Sequence, residues 1–193
     1  MKAWFSMAAV VCAMTVGQAA LASNQDKPAT TKPGTTGTPQ DTKAAKPAIG
    51  ADSTFIKTAA MDGMAEVEHG TLAAQNAASS DVKQFGQRMV DDHGKANAEL
   101  KSLASKKNVT LPTELDAKHK AMQDKLSKLK GAAFDSAYMA HMATAHKEAV
   151  ALFQREAKTG KDAEIKAFAE KALPTLQEHL KMAQDLSAKN KTH

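Results

Sequence analysis

The sequence predicts an all-α protein, and three observations carry that reading. Apolar residues recur at spacings of three, four and seven through four long stretches. No stretch alternates apolar and polar residues in the manner of a half-buried strand. Aromatics make up only 4% of the chain, so alanine and methionine supply much of its 42% hydrophobic content. That mixture suits close-packed helices better than sheets. At 193 residues the chain is long enough for one domain with a real core.

The first 50 residues stand outside that pattern. Residues 1–22 read as a secretory signal peptide: Lys2 is the basic start, Phe5 to Val16 the apolar run, and Ala20-Leu21-Ala22 the small-x-small cleavage site. A retained membrane anchor is the alternative, but a spanning helix needs about 20 apolar residues and this run is shorter. Cleavage after Ala22 implies a periplasmic or otherwise exported protein. Cys12, the only cysteine, lies inside the leader. The exported chain therefore has no disulfide and no thiolate ligand. Residues 23–50 are rich in Pro, Thr, Gly and Lys. They read as a disordered tether, either a plain spacer or a reach that lets the domain associate peripherally with the envelope. Lys2 and the four tether lysines, set against Asp26 and Asp41, account for most of the +5 net charge. Residues 51–193 keep roughly +2, so the high pI is no argument for nucleic-acid binding.

The helical domain is expected over 51–190. A first helix should start at Asp52 or Ser53, either a good N-cap, and run to about Ala78. Its apolar arc holds Phe55, Ala59, Gly63, Val67, Gly70 and Ala73, and the glycines allow a second helix to come close. Ser79-Ser80-Asp81 turns the chain into a second helix over about 81–107, so the two form an antiparallel hairpin. Pro112 stops that helix, and a shorter amphipathic one follows over 113–129, its lysine-rich side a solvated face. Gly131 precedes a third long helix over 132–158. Thr159-Gly160-Lys161 is a tight turn, and Asp162 caps a fourth over 163–188 that Pro174 should kink. Two hairpins joined by a long link with a short helix is the connectivity of a ferritin-like four-helix bundle with one crossover. A plain up-and-down bundle with a fifth helix on its side is the runner-up.

Each long helix has a polar intruder on its apolar face: Glu66, His93, His146 and His179. His93 sits roughly 20° from Leu100 and 40° from Met89 on a helical wheel. The intruders share a depth. Glu66 and His93 lie equally far from the first turn, while His146 and His179 differ by about 6 Å of helix rise relative to the second. A single histidine on an apolar face is usually a core residue bonded to a carbonyl or carboxylate. Four such groups at one level are better explained by a shared metal ion, with imidazoles suiting zinc, copper or iron and the carboxylate completing the shell. A di-iron pair would want Glu-x-x-His on two helices, and only Glu66 to His69 has it. Met89, Met142 and Met182 each lie one turn from a histidine. They are ordinary core filling or, in the alternative, thioether support for copper(I).

FIKTAAMDGMAEVEHGTLAAQNAASSDVKQFGQRMVDDHGKANAELKSLA, GAAFDSAYM and LPTLQEHLKMAQDL carry a resemblance. They resemble the secreted ferritin-like family catalogued as domain of unknown function 4142, whose members often carry an outer-membrane label. The resemblance covers about residues 51–188 and implies a ferritin-like bundle. It maps the family's Asp-His pair onto Asp92 and His93, its next histidine onto His146, and its Leu-Pro-x-Leu-x-x-His onto Leu173 to His179. His69 departs from the family, which is aliphatic there. The label implies location at most, since a helical chain is no transmembrane β-barrel. Three functions compete: a periplasmic metal-binding or metal-handling bundle, a non-catalytic envelope stress or structural protein whose buried polar groups fix packing, and, last, an oxidoreductase lacking the carboxylates of a di-iron site.

Overall fold

The computed structural model describes residues 50–189; the expected leader and nearly all of the tether lie outside the described residues. Among the described residues there are five helices and no strand: α1 Gly50–Asn76, α2 Ser80–Lys106, α3 Ala117–Ser127, α4 Gly131–Thr159 and α5 Ala163–Lys189. None is long and apolar enough to cross a membrane.

Packing follows the apolar stripes. α1 lies along α2 and α4 along α5; the pairs meet through α1 on α4 and α2 on α5, and α3 covers α1 and α4. Hydrogen bonds fix the directions. The carboxylate of Asp135, in the first turns of α4, accepts from the N–H groups of Ala78 (3.1 Å) and Ser79 (2.8 Å) in the α1–α2 turn. Asp52, at the start of α1, accepts from Lys161 (3.1 Å) and Asp162 (2.7 Å) in the α4–α5 turn. Each hairpin thus supplies the carboxylate that satisfies the other's turn. α2 and α4 run the same way, so the link from 107 to 130 spans the length of the domain.

Two sequence expectations change here. Asp52 and Ser53 are the two expected caps of the first helix. Instead α1 begins at Gly50, and the buried Asp52 side chain serves the distant turn. The short helix was expected from residue 113. It starts at Ala117, because Asp116 is the residue whose side chain caps it, accepting from His119 N at 2.9 Å. Asp162 does cap α5, accepting from Glu164 and Ile165, and also pairs with buried Lys107 Nζ at 2.8 Å. α5 continues unbroken through Pro174.

The hairpin α1–α2 closes on glycine. A Cβ on Gly70 would meet Gly86 O at 2.5 Å, and one on Gly86 would meet Ala73 Cβ at 2.5 Å. The core falls into two apolar clusters. One, around Phe55, Ile56, Leu100, Phe153, Ile165 and Phe168, fills the end where α1 begins. The other, around Val82, Phe85, Met89, Phe134, Tyr138 and Met142, fills the opposite end. The polar intruders occupy the level between them.

Candidate metal centre

α2, α4 and α5 each deliver one imidazole to the middle of the domain. One ring nitrogen from each of His93, His146 and His179 lies within 4.8 Å of the other two. The ring centroids are 5.6 Å apart for His93–His146, 5.4 Å for His93–His179 and 5.3 Å for His146–His179. Two imidazoles on one tetrahedral ion, with metal–nitrogen bonds of about 2.0–2.1 Å, place their centroids about 5.2 Å apart. The spacing is therefore that of rings able to share an ion.

The outer nitrogens say which lone pairs face inward. His146 Nδ1 donates to Met142 O at 3.0 Å, and His179 Nε2 donates to Asp92 Oδ2 at 3.0 Å. A carbonyl and an ionised carboxylate only accept, so each ring carries its proton on the outer nitrogen. His93 Nε2, His146 Nε2 and His179 Nδ1 are then left buried with no hydrogen-bond partner. Asp92 is held in turn by Arg88 (Nε to Oδ2, 3.2 Å), whose other nitrogens grip Glu178 at 2.9 and 2.8 Å. Burial raises the Asp92 pKa, but the His179 and Arg88 hydrogen bonds outweigh it, so the group stays a carboxylate. Burial lowers His93 to about 3 and His146 to about 4, and lowers His179 against the pull of Asp92. All three are neutral near pH 7, the state that ligates. A ligating ring whose other nitrogen is fixed by a carbonyl or carboxylate is the usual outer arrangement of a metal site.

Glu66, the fourth residue of the sequence constellation, stands beside this triad and not within it. Its Oε1 is 3.8 Å from His146 Nδ1, the nitrogen already given to Met142 O, and its Oε2 has no partner. Burial raises its pKa to about 8, so it is a neutral acid near pH 7. Met89 and Met142 are fully buried in the second apolar cluster, and Met182 Sδ accepts from Arg88 Nη1 at 3.4 Å. Phe85 lies against the site, its ring 6.3 Å from His146 and 6.5 Å from His179. On the other side a cavity of about 550 Å³ reaches His93 and His179.

Reading the residues alone missed Asp92, which lies off the apolar face. Its signal was the i, i+4 pair with Arg88, which holds a carboxylate in place next to a histidine.

Fold and site define an all-helical domain whose core holds three imidazoles close enough to hold a metal ion. The chain belongs to the family described as "Domain of unknown function (DUF4142)", whose sequence pattern matches residues 37–186. Two solved structures are similar in fold. A DUF305 fragment from Deinococcus radiodurans superimposes with a TM-score of 0.66 at 11% identity, over 74% of this chain and 99% of its own. A DUF305 protein from Streptomyces coelicolor does so with a TM-score of 0.62 at 15% identity, over 73% and 92%. No curated protein matches the chain.

Proposed function

We propose that this protein is an exported, periplasmic ferritin-like four-helix bundle that binds a single transition-metal ion at His93, His146 and His179, for metal binding or handling. The carrying observation is the convergence of three buried, unpartnered ring nitrogens, two of them on rings whose other nitrogen is pinned by an acceptor. Three neutral donors with nothing to donate to them are a costly arrangement in a core. A cation satisfies all three at once. Imidazole suits zinc, copper or iron, and three protein ligands leave a coordination position for a further small ligand. The ferritin-like reading rests on the long crossover between two antiparallel hairpins. Export rests on the leader pattern of residues 1–22.

The test is metal-dependent folding stability. An ion that binds only the native state raises the melting temperature. Zinc or copper should raise it for the wild type, His93→Ala should abolish that rise, and His193→Ala in the tail should leave it intact. A wild type purified metal-free and indifferent to zinc and copper in the melt leaves the structural, non-catalytic role as the reading.

A further inference from the structure

Outside the triad, α1 and α4 face each other through a second pair of histidines. His69 is only 1% exposed, and neither of its ring nitrogens has a well-formed hydrogen bond. His141, opposite it on α4, has its ring centroid 5.2 Å away. That is the spacing of about 5.2 Å expected for two rings on one tetrahedral ion. Glu66 lies one turn before His69 on α1 with its Oε2 buried and unpartnered, but it leans toward His146, and the one three-ligand group among the described residues is the triad. His69, His141 and Glu66 line the same cavity that reaches the triad. His119 completes that wall but is committed elsewhere. Its two nitrogens face Asp116 at 2.8 Å and Asp62 at 3.3 Å.

We propose that His69 and His141 form a second transition-metal site on the cavity wall, distinct from the triad, with the remaining coordination positions open to small ligands from the cavity. Both rings are neutral near pH 7, because burial and repulsion from neighbouring histidines hold each near 4. With two imidazoles to the triad's three, the second site is the weaker, and it fills after the triad. The proposal stands on its own geometry and does not need the triad to be occupied.

Calorimetric titration of metal-free protein with Zn²⁺ tests it. The wild type should take up two ions in distinguishable steps. His141→Ala, at a partly buried position, should lose the weaker step and keep the tighter one; His69→Leu should do the same. His93→Leu should lose the tighter step and keep the weaker, and His193→Ala should lose neither. A wild type that takes up one ion, lost in His93→Leu and unaffected in His141→Ala, overturns the second site and leaves the triad standing. One ion lost in His141→Ala and kept in His93→Leu supports the second site and rejects the triad. No uptake at all rejects both.

Discussion

His179 shows how much one acceptor decides. Asp92 takes the proton of Nε2, and only then does Nδ1 face the triad with its lone pair free. Asp92→Asn offers an amide N–H to the same nitrogen, which favours the tautomer with the proton on Nδ1. We expect zinc affinity to fall about 10–100-fold, the usual cost of losing such an outer partner, with little change in the metal-free fold. Competition titration against a chelator checks this. Acid should act on the same rings. In the metal-free protein His93 is neutral down to about 3 and His146, His69 and His141 down to about 4, against an ordinary histidine value of 6.5. Below about 6.5 the unfolded chain therefore binds more protons than the native one, and stability falls with pH until the native values are reached. The slope is about 1.4 kcal/mol per pH unit for each ring. Glu66, raised from 4.5 to about 8, works in the opposite direction over that range, as do Asp62 and Glu156, both raised first by burial, against five lowered histidines once His179 is included. Urea melts of metal-free protein should give a lower midpoint near pH 5 than near pH 7; a higher one contradicts the burial of neutral histidines.

Among the elements, the α1–α2 hairpin is the one held by backbone proximity. Gly70→Ala drives a methyl toward a carbonyl oxygen of the facing helix, and overpacking of that kind costs about 1–3 kcal/mol. Gly94→Ala, on α2 with nothing within 4 Å, should instead gain up to about 1 kcal/mol of helix propensity. The pair of variants, compared by denaturant midpoint, separates close approach from propensity. The sequence made the α1 side of this contact legible, because Gly63 and Gly70 sit on an apolar arc where glycine otherwise only costs. It did not show that Gly86 answers Gly70 and Asn97 answers Gly63, since nothing in α2 alone says which residue faces the partner. The same limit explains Asp52. A good N-cap residue at the right place reads as a local cap, and its true partners, Lys161 and Asp162, are visible only once the hairpins are docked. Local chemistry located α5, where Asp162 caps its own helix.

Across the whole molecule, depth along the helices was the most legible quantity. Counting from the two turns put Glu66 level with His93 and left His146 and His179 about 6 Å apart in height; the structure brings the three imidazoles' nitrogens together between two apolar clusters. Counting gives height and not rotation, so it could not separate Glu66, which leans toward the outer side of His146, from the residues that face inward. It also passed over Asp92, which shares a level with the triad but approaches from the rim. The two carboxylate clamps lie at opposite ends, so Asp52→Ala and Asp135→Ala should each lower stability by about 1–3 kcal/mol through stranded N–H groups. Their effects should add to within about 0.3–0.5 kcal/mol, and a double-mutant cycle reads that directly. The reciprocity has a further consequence. Each hairpin borrows a carboxylate for its turn from the other, and neither owns the triad: His93 comes from one half, His146 and His179 from the other. The crossover is the covalent tie between the halves among the described residues. Two chains that traded hairpins would rebuild both clamps, both clusters and the site without a single new kind of contact. Whether one polypeptide or two make the unit is thus decided by the reach of residues 107–130, and shortening that strap should turn a self-contained protein into an exchanged pair.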